Sequence, residues 1–322
     1  MRIFYLCPDL SKPSGGIKRL YRHVEILREN SYDAYIMQIN EGFKLNWFES
    51  PAPIVYTRDL AQLHSEDVLV LPEGLSTVMK QVKPLQFRKV VIALSFAYIF
   101  EHMPIGENWK DYGIHWVIAS TKTIKDLVQW SMGIENVYII KSSVDNIMFH
   151  YEPDVKKQQI TYIKRKDTLS PIVEKILKAR SACSDEPDFI AIENLKLQDY
   201  AQVLKQSQIY LTTSIHEGIN LSVLEAMACG CVCIGFDGVG SREFIVESGE
   251  QQNFVRAENA NFIDLAMKLA GLMEMIKQKD PKVEKIRQNG LATARRFTAE
   301  LEKKSVLEFW RSFLESDLQL LI

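Results

Sequence analysis

The segment IYLTTSIHEGINLSVLEAMACGCVCIGFDGVGSREF, residues 209–244, sets two apolar, β-prone runs on either side of an apolar run of helical length. The first run is predicted as a buried strand that opens into the polar loop 214–218. A helix begins near Asn220 or Leu221 and stops at Gly230, because glycine accepts the left-handed turn that ends many helices. The second strand, 232–236, runs into Asp237, Gly238, Val239 and Gly240. Strands joined through a helix in this way must be parallel.

The same alternation extends outward almost to both ends. Strands are predicted at 3–7, 34–39, 54–56, 68–71, 90–94, 116–119, 137–140, 160–163 and 189–192. Helices are predicted at 17–29, where Leu20, Val24 and Leu27 recur at helical spacing, and at 123–131, 171–182, 197–206 and 262–276. Two further helical segments, 283–296 and 299–320, close the chain. The polar stretch 142–154 separates two runs of βα units. The expected class is α/β: two Rossmann-like, doubly wound parallel-sheet domains, residues 1–147 and 148–300, facing a cleft. Ligands in such sheets sit at the carboxyl ends of the strands, so chemistry is expected on the loops that follow them.

Composition narrows the choice. With 39 Lys plus Arg against 41 Asp plus Glu in 322 residues, no basic excess points to nucleic acid. Cys229, Cys231 and Cys233 alternate without the paired Cys-x2-Cys spacing of zinc sites. With Cys7 and Cys183 they read as small buried residues, reduced in a cytoplasmic setting. The amino-terminal apolar run stops at Pro8, too short for a signal peptide, and no stretch reaches the roughly eighteen apolar residues of a membrane span. A soluble chain is expected. The cations Lys18, Arg19, Arg22, His23 and Arg28 of helix 17–29 suggest a peripheral contact with the inner face of a membrane, or simply a solvated face.

Glu217 stands just before the predicted helix and Glu225 two turns along it. Eight helical positions rise about 12 Å and leave both acids on a similar side. A sugar–diphosphate–nucleoside carries two diols about that far apart, and a carboxylate can accept a pair of hydroxyl protons. Free amides at the helix start point to where the diphosphate would lie. Attraction of Glu217 to the helix dipole is the plain alternative, and for Glu225 a structural partner.

Residues 217–230, E-G-I-N-L-S-V-L-E-A-M-A-C-G, resemble the E-x7-E motif of GT-B glycosyltransferases of the GT4 type, usually E-G-F-G-L-P-x-L-E-A-M-A-x-G. The resemblance implies that Glu217 contacts the sugar of a UDP- or GDP-sugar, Glu225 the ribose, and that Gly218 and the amides of Ile219, Asn220 and Leu221 hold the donor. Asn220 replaces the usual glycine, and its side chain is expected to narrow the sugar pocket. Gly15 and Gly16 look like the family's Gly-Gly loop against the phosphate, and Arg165 and Lys166 like its cations on the leaving diphosphate. Val144, Asp145 and Phe149 resemble the family's interdomain segment, and residues 301–322 the last helix, which crosses back to the first domain.

The resemblance further implies retention, no metal, a saccharide or lipid-linked saccharide acceptor and a place in bacterial polysaccharide assembly. The chain also lacks an Asp-x-Asp triplet to hold Mg2+. His216, Ser95 and Glu73 are additional candidates, and Arg58 could line an acceptor site with Glu73. A nucleotide-sugar epimerase or hydrolase and a non-catalytic nucleotide-sugar sensor remain alternatives. A dehydrogenase is disfavoured, since no G-x-G-x-x-G follows the first strand.

Overall fold

The computed structural model describes residues 1–164, 169–180 and 187–320, the last four by backbone alone. The chain divides into two units, Met1–Ser142 with Glu300–Ile322, and Ser143–Ala299. In the first, β1 (Ile3–Cys7), α1 (Gly15–Glu29), β2 (Ala34–Gln38), β3 (Ile54–Tyr56), β4 (Val68–Pro72), α2 (Ser76–Val82), β5 (Arg88–Ala93), β6 (Trp116–Ala119), α3 (Lys122–Met132) and β7 (Asn136–Ile139) follow in order. Their sheet runs β3-β2-β1-β4-β5-β6-β7 and every described pairing is parallel.

The period-two alternation of a strand sorts its side chains onto two cores. Ile3, Tyr5 and Cys7 of β1 pack on one face with Leu20, Val24 and Leu27 of α1, while Phe4 and Leu6 join Met79 of α2 and Val128 of α3 on the other. Both faces being covered, the strands read as continuous apolar runs rather than alternating ones.

The second unit holds β8 (Lys157–Ile163), α4 (Leu169–Arg180), β9 (Asp188–Ile192), α5 (Leu197–Gln206), β10 (Ser207–Thr212), α6 (Leu221–Ala228), β11 (Val232–Gly235), β12 (Phe254–Arg256), α7 (Phe262–Lys277) and α8 (Pro281–Ala294). Its sheet, β12-β11-β10-β8-β9, is also parallel throughout. The chain then returns to the first unit as α9 (Ala299–Leu320), whose Val306, Phe309, Trp310 and Phe313 are buried against the β1 and α1 core. Trp310 Nε1 donates to the Tyr5 hydroxyl at 3.2 Å.

Three differences from the sequence reading have local causes. Segment 143–147 belongs to the second unit, because Val144 and Phe149 are buried in its core and Val144 N donates to Phe297 O at 3.0 Å. Helix α2 and strand β12 are too short to show a period. The basic face read on α1 is occupied: Arg19 and His23 are buried, Arg22 faces Glu25, Glu29 and Glu302, and Arg28 pairs with Asp33. Among the described residues no helix is long and apolar enough to cross a membrane.

In each sheet the strand order reverses once, between β1 and β4 in the first and between β8 and β10 in the second. The loops at these switch points are where doubly wound sheets bind ligands.

Candidate functional site

Loop 213–220 follows β10 at the second switch point and carries Glu217. Its backbone is locked to the Gly-rich turn after β11. Glu217 N donates to Gly238 O at 2.9 Å, and Gly240 N donates to Glu217 O at 3.1 Å. A Cβ on Gly240 would lie 1.8 Å from Gly218 O, so only glycine permits this approach. Asp237, almost wholly buried, fixes the turn from behind. Its Oδ1 accepts from Val239 N at 2.8 Å and its Oδ2 from Arg242 Nε at 2.8 Å. Arg256 Nε lies 2.7 Å from Oδ2 but off the axis of a hydrogen bond, so it adds charge rather than direction. Burial opposes the charge on Asp237, yet the Arg242 bond and the other partners hold its carboxyl below the usual range.

The Glu217 side chain is half-buried, and its Oε1 accepts from Ser214 Oγ at 2.7 Å. His216, beside it, is exposed. Glu225, on α6, accepts at Oε2 from the Tyr200 hydroxyl of α5 at 2.8 Å. Burial, with the Glu225 charge second, pushes the Tyr200 phenol well up, so it stays protonated and remains a donor. Tyr200 is the partner that a carboxylate in so apolar a helix requires.

The Asn220 side chain is turned into the protein interior. It is buried, its Nδ2 donating to Thr212 Oγ1 at 3.2 Å while its Oδ1 accepts from Ser222 Oγ at 2.5 Å. Ser222 Oγ in turn accepts from the Tyr210 hydroxyl at 2.7 Å. The amides divide as well. Asn220 N donates to Ser241 Oγ at 3.0 Å and Leu221 N to Ile219 O at 3.2 Å, so neither is open to a ligand as the sequence suggested. Among the described residues the amides of Gly218 and Ile219 have no backbone acceptor. Arg165 and Lys166, expected after β8, lie outside the described residues, as does Cys183.

In the first unit, Gly15 and Gly16 open α1 after β1. Glu73 follows β4 and is buried, with Oε1 accepting from Ser95 N at 2.7 Å. Burial pushes its carboxyl up to about 7, against the amides of Glu73, Ser95 and Leu94 and the Arg19 charge, which pull it down. Arg58 is exposed and paired with Glu41. Cys7, Cys229, Cys231 and Cys233 are free, buried thiols, and among the described residues no group of His, Cys, Asp and Glu is arranged to hold a metal ion. Tyr200, Ser241 and Asp237 belong to the site as much as the motif does. Only Asp237 carried a signal, through its place at the head of the Gly-Val-Gly turn.

Residues 170–275 match the family model described as Glycosyl transferases group 1. The chain is 21% identical over 239 residues to an α-1,6-glucosyltransferase of Actinobacillus pleuropneumoniae, covering 73% of this chain and 72% of that protein. Its fold superposes with TM-score 0.73 at 15% identity on Anabaena HepE in complex with UDP and glucose, covering 97% and 100% of the two chains. The pneumococcal O-GlcNAc transferase GtfA in complex with UDP and GlcNAc gives 0.67 at 11% identity, covering 99% of each. Residues 170–275 thus match the glycosyl transferases group 1 model, in a chain whose two parallel-sheet domains share the fold of GT-B glycosyltransferase structures.

Proposed function

We propose that the chain is a GT4-type glycosyltransferase that moves a hexose from a UDP-sugar, or failing that a GDP-sugar, to a saccharide or lipid-linked saccharide. The reaction retains the anomeric configuration, needs no metal, and serves bacterial polysaccharide or glycolipid assembly on the cytoplasmic side of the membrane. The observation that carries this reading is the backbone lock between loop 213–220 and the Gly238–Gly240 turn, which fixes Glu217 at a switch point. The UDP-bound relatives and the glucosyltransferase similarity favour UDP as the nucleotide.

In this reading Glu217 accepts hydroxyl protons of the donor sugar, and Glu225, steadied by Tyr200, accepts those of the ribose. The Gly218 and Ile219 amides, Gly15, Gly16, Arg165 and Lys166 take the diphosphate. The acceptor oxygen bonds to the anomeric carbon as the carbon–phosphate-oxygen bond breaks. The electron pair leaves with the diphosphate, and the acceptor proton passes to a phosphate oxygen. Fixed positive groups stabilise the charge that grows there.

Thermal-shift titration with UDP, GDP, ADP and TDP tests the site, since a ligand of the folded state raises Tm. UDP is expected to stabilise the chain, and Glu225→Ala to weaken its binding about tenfold to a hundredfold, the loss of a hydrogen bond to a charged group. Glu217→Ala is expected to keep UDP binding and lose transfer. Stabilisation by none of the four nucleotides, or full transfer by Glu217→Ala, would sink the proposal. Product analysis with and without acceptor separates transfer from hydrolysis or epimerisation, and EDTA is expected to leave the rate unchanged.

A further inference from the structure

Val239 has φ +70° and ψ −59°, and Gly240 N, donating to Gly238 O at 2.9 Å, closes a three-residue γ-turn around it. This hand of γ-turn is rare and strained, because the Cβ of an L-residue is crowded there. Five non-glycine residues among those described have a positive φ, and the other four, Ser31, Asn194, Ala260 and Lys279, carry no branch at Cβ. Valine is the residue type least suited to the position.

Core packing does not offset the strain. The Val239 side chain is half-buried and belongs to neither hydrophobic core of the second unit. Polar bonds hold the turn instead: Val239 N donates to Asp237 Oδ1 at 2.8 Å and Arg242 N to Val239 O at 3.2 Å. On its other side the turn pairs with loop 213–220, as a parallel bridge between Val239 and Glu217. Glu217 N donates to Gly238 O, and Glu217 O accepts from Gly240 N. The two peptide groups that flank Val239 are therefore the two that grip Glu217. Peptide groups are planar, so φ and ψ of residue 239 set how that pair is oriented.

Its neighbours exclude side chains. A Cβ at Gly238 would lie 3.0 Å from Glu217 Cβ, and one at Gly240 would lie 1.8 Å from Gly218 O. Glycine at 239 as well would put three in a row, free to sample both signs of φ. Valine is denied most positive-φ wells open to glycine, so the turn either keeps this geometry or loses both Glu217 bonds.

We propose that Val239 is a positioning residue of the donor site, its branched side chain restricting the turn to one strained geometry that fixes the Glu217 main chain. Strain of this kind persists where the surroundings over-determine it, and it gathers at functional sites. The assignment rests on the transferase reading for what Glu217 does.

The test compares Val239→Gly, Val239→Ala and Val239→Thr in the full chain. Glycine is ordinarily less stabilising than alanine, and at a strained positive φ the order reverses. Val239→Gly is expected to melt above Val239→Ala, yet to exchange its amides in peptides covering 213–220 about tenfold faster than wild type. With UDP-glucose or UDP-GlcNAc its kcat is expected to fall about tenfold or more, since misplacing a reacting group by about 1 Å costs about a hundredfold, with UDP affinity within about twofold of wild type. Val239→Thr, which keeps the branch, is expected to retain most of the rate, with Val239→Ala between the two. A purely structural role would rank the variants alike in Tm and in rate. Val239→Gly melting below Val239→Ala, unchanged exchange in 213–220, or an unchanged kcat would each overturn the assignment. If the wild type transfers from neither sugar nucleotide, the transferase reading fails by itself, and the melting order with amide exchange still decides whether Val239 fixes the loop.

Discussion

A carboxyl whose pKa rises from 4.5 to about 7 on burial keeps a proton that the unfolded chain has already released. For Glu73 the folded state therefore binds more protons between those two values, and stability falls as pH rises through that window. The shift corresponds to roughly 3 kcal/mol above pH 7, as an upper figure. Glu73→Gln is accordingly expected to raise Tm at pH 8 and to match wild type near pH 4.5, as denaturation scans at the two values would show. His23 works the other way. Burial and then Arg19 and Arg22 push it well below its ordinary range, so the unfolded chain binds the extra proton and stability falls as pH drops below about 6.5. Glu217 and Glu225 were legible from their spacing in one continuous segment. Tyr200 and Ser241 were not, since they reach the site from 25 and 21 residues away and the contact exists only once α5 and the turn after β11 are packed.

Helices α5 and α6 meet at the site through a phenol–carboxylate bond, Tyr200 to Glu225. Tyr200→Phe keeps the ring in the core and removes the hydroxyl, so UDP affinity is expected to fall several-fold while Tm moves little, read by calorimetric titration. Where β10 and β11 run side by side the tolerance is much smaller. Gly235 has φ +141°, and a Cβ there would fall 1.7 Å from Thr212 O. Gly235→Ala is expected to unfold the second unit or leave it insoluble, which circular dichroism would report. Most strands could be read from composition because burial on both faces makes each an unbroken apolar run. Strand β12, three residues at a sheet edge, and α2, seven residues with Thr77 and Val78 in its first turn, carry too little pattern to stand out.

Over the whole molecule, the first unit is completed by its last helix. Trp310 is fully buried against Tyr5, and Trp310→Ala is expected to destabilise that unit by about 3–5 kcal/mol, seen as an earlier first transition on heating. The two-unit plan was legible from the break in βα alternation, but its seam was not, because only tertiary packing shows that Val144 and Phe149 serve the second core. The hydrogen bond from Val144 N to Phe297 O puts the entry and exit of residues 143–299 side by side. A segment whose ends meet can be lifted out and spliced into another host without stretching either junction. Gene-level grafting of this single stretch is therefore a route to chimaeras that, on the function proposed above, exchange nucleotide-sugar preference while leaving the remainder of the polypeptide untouched.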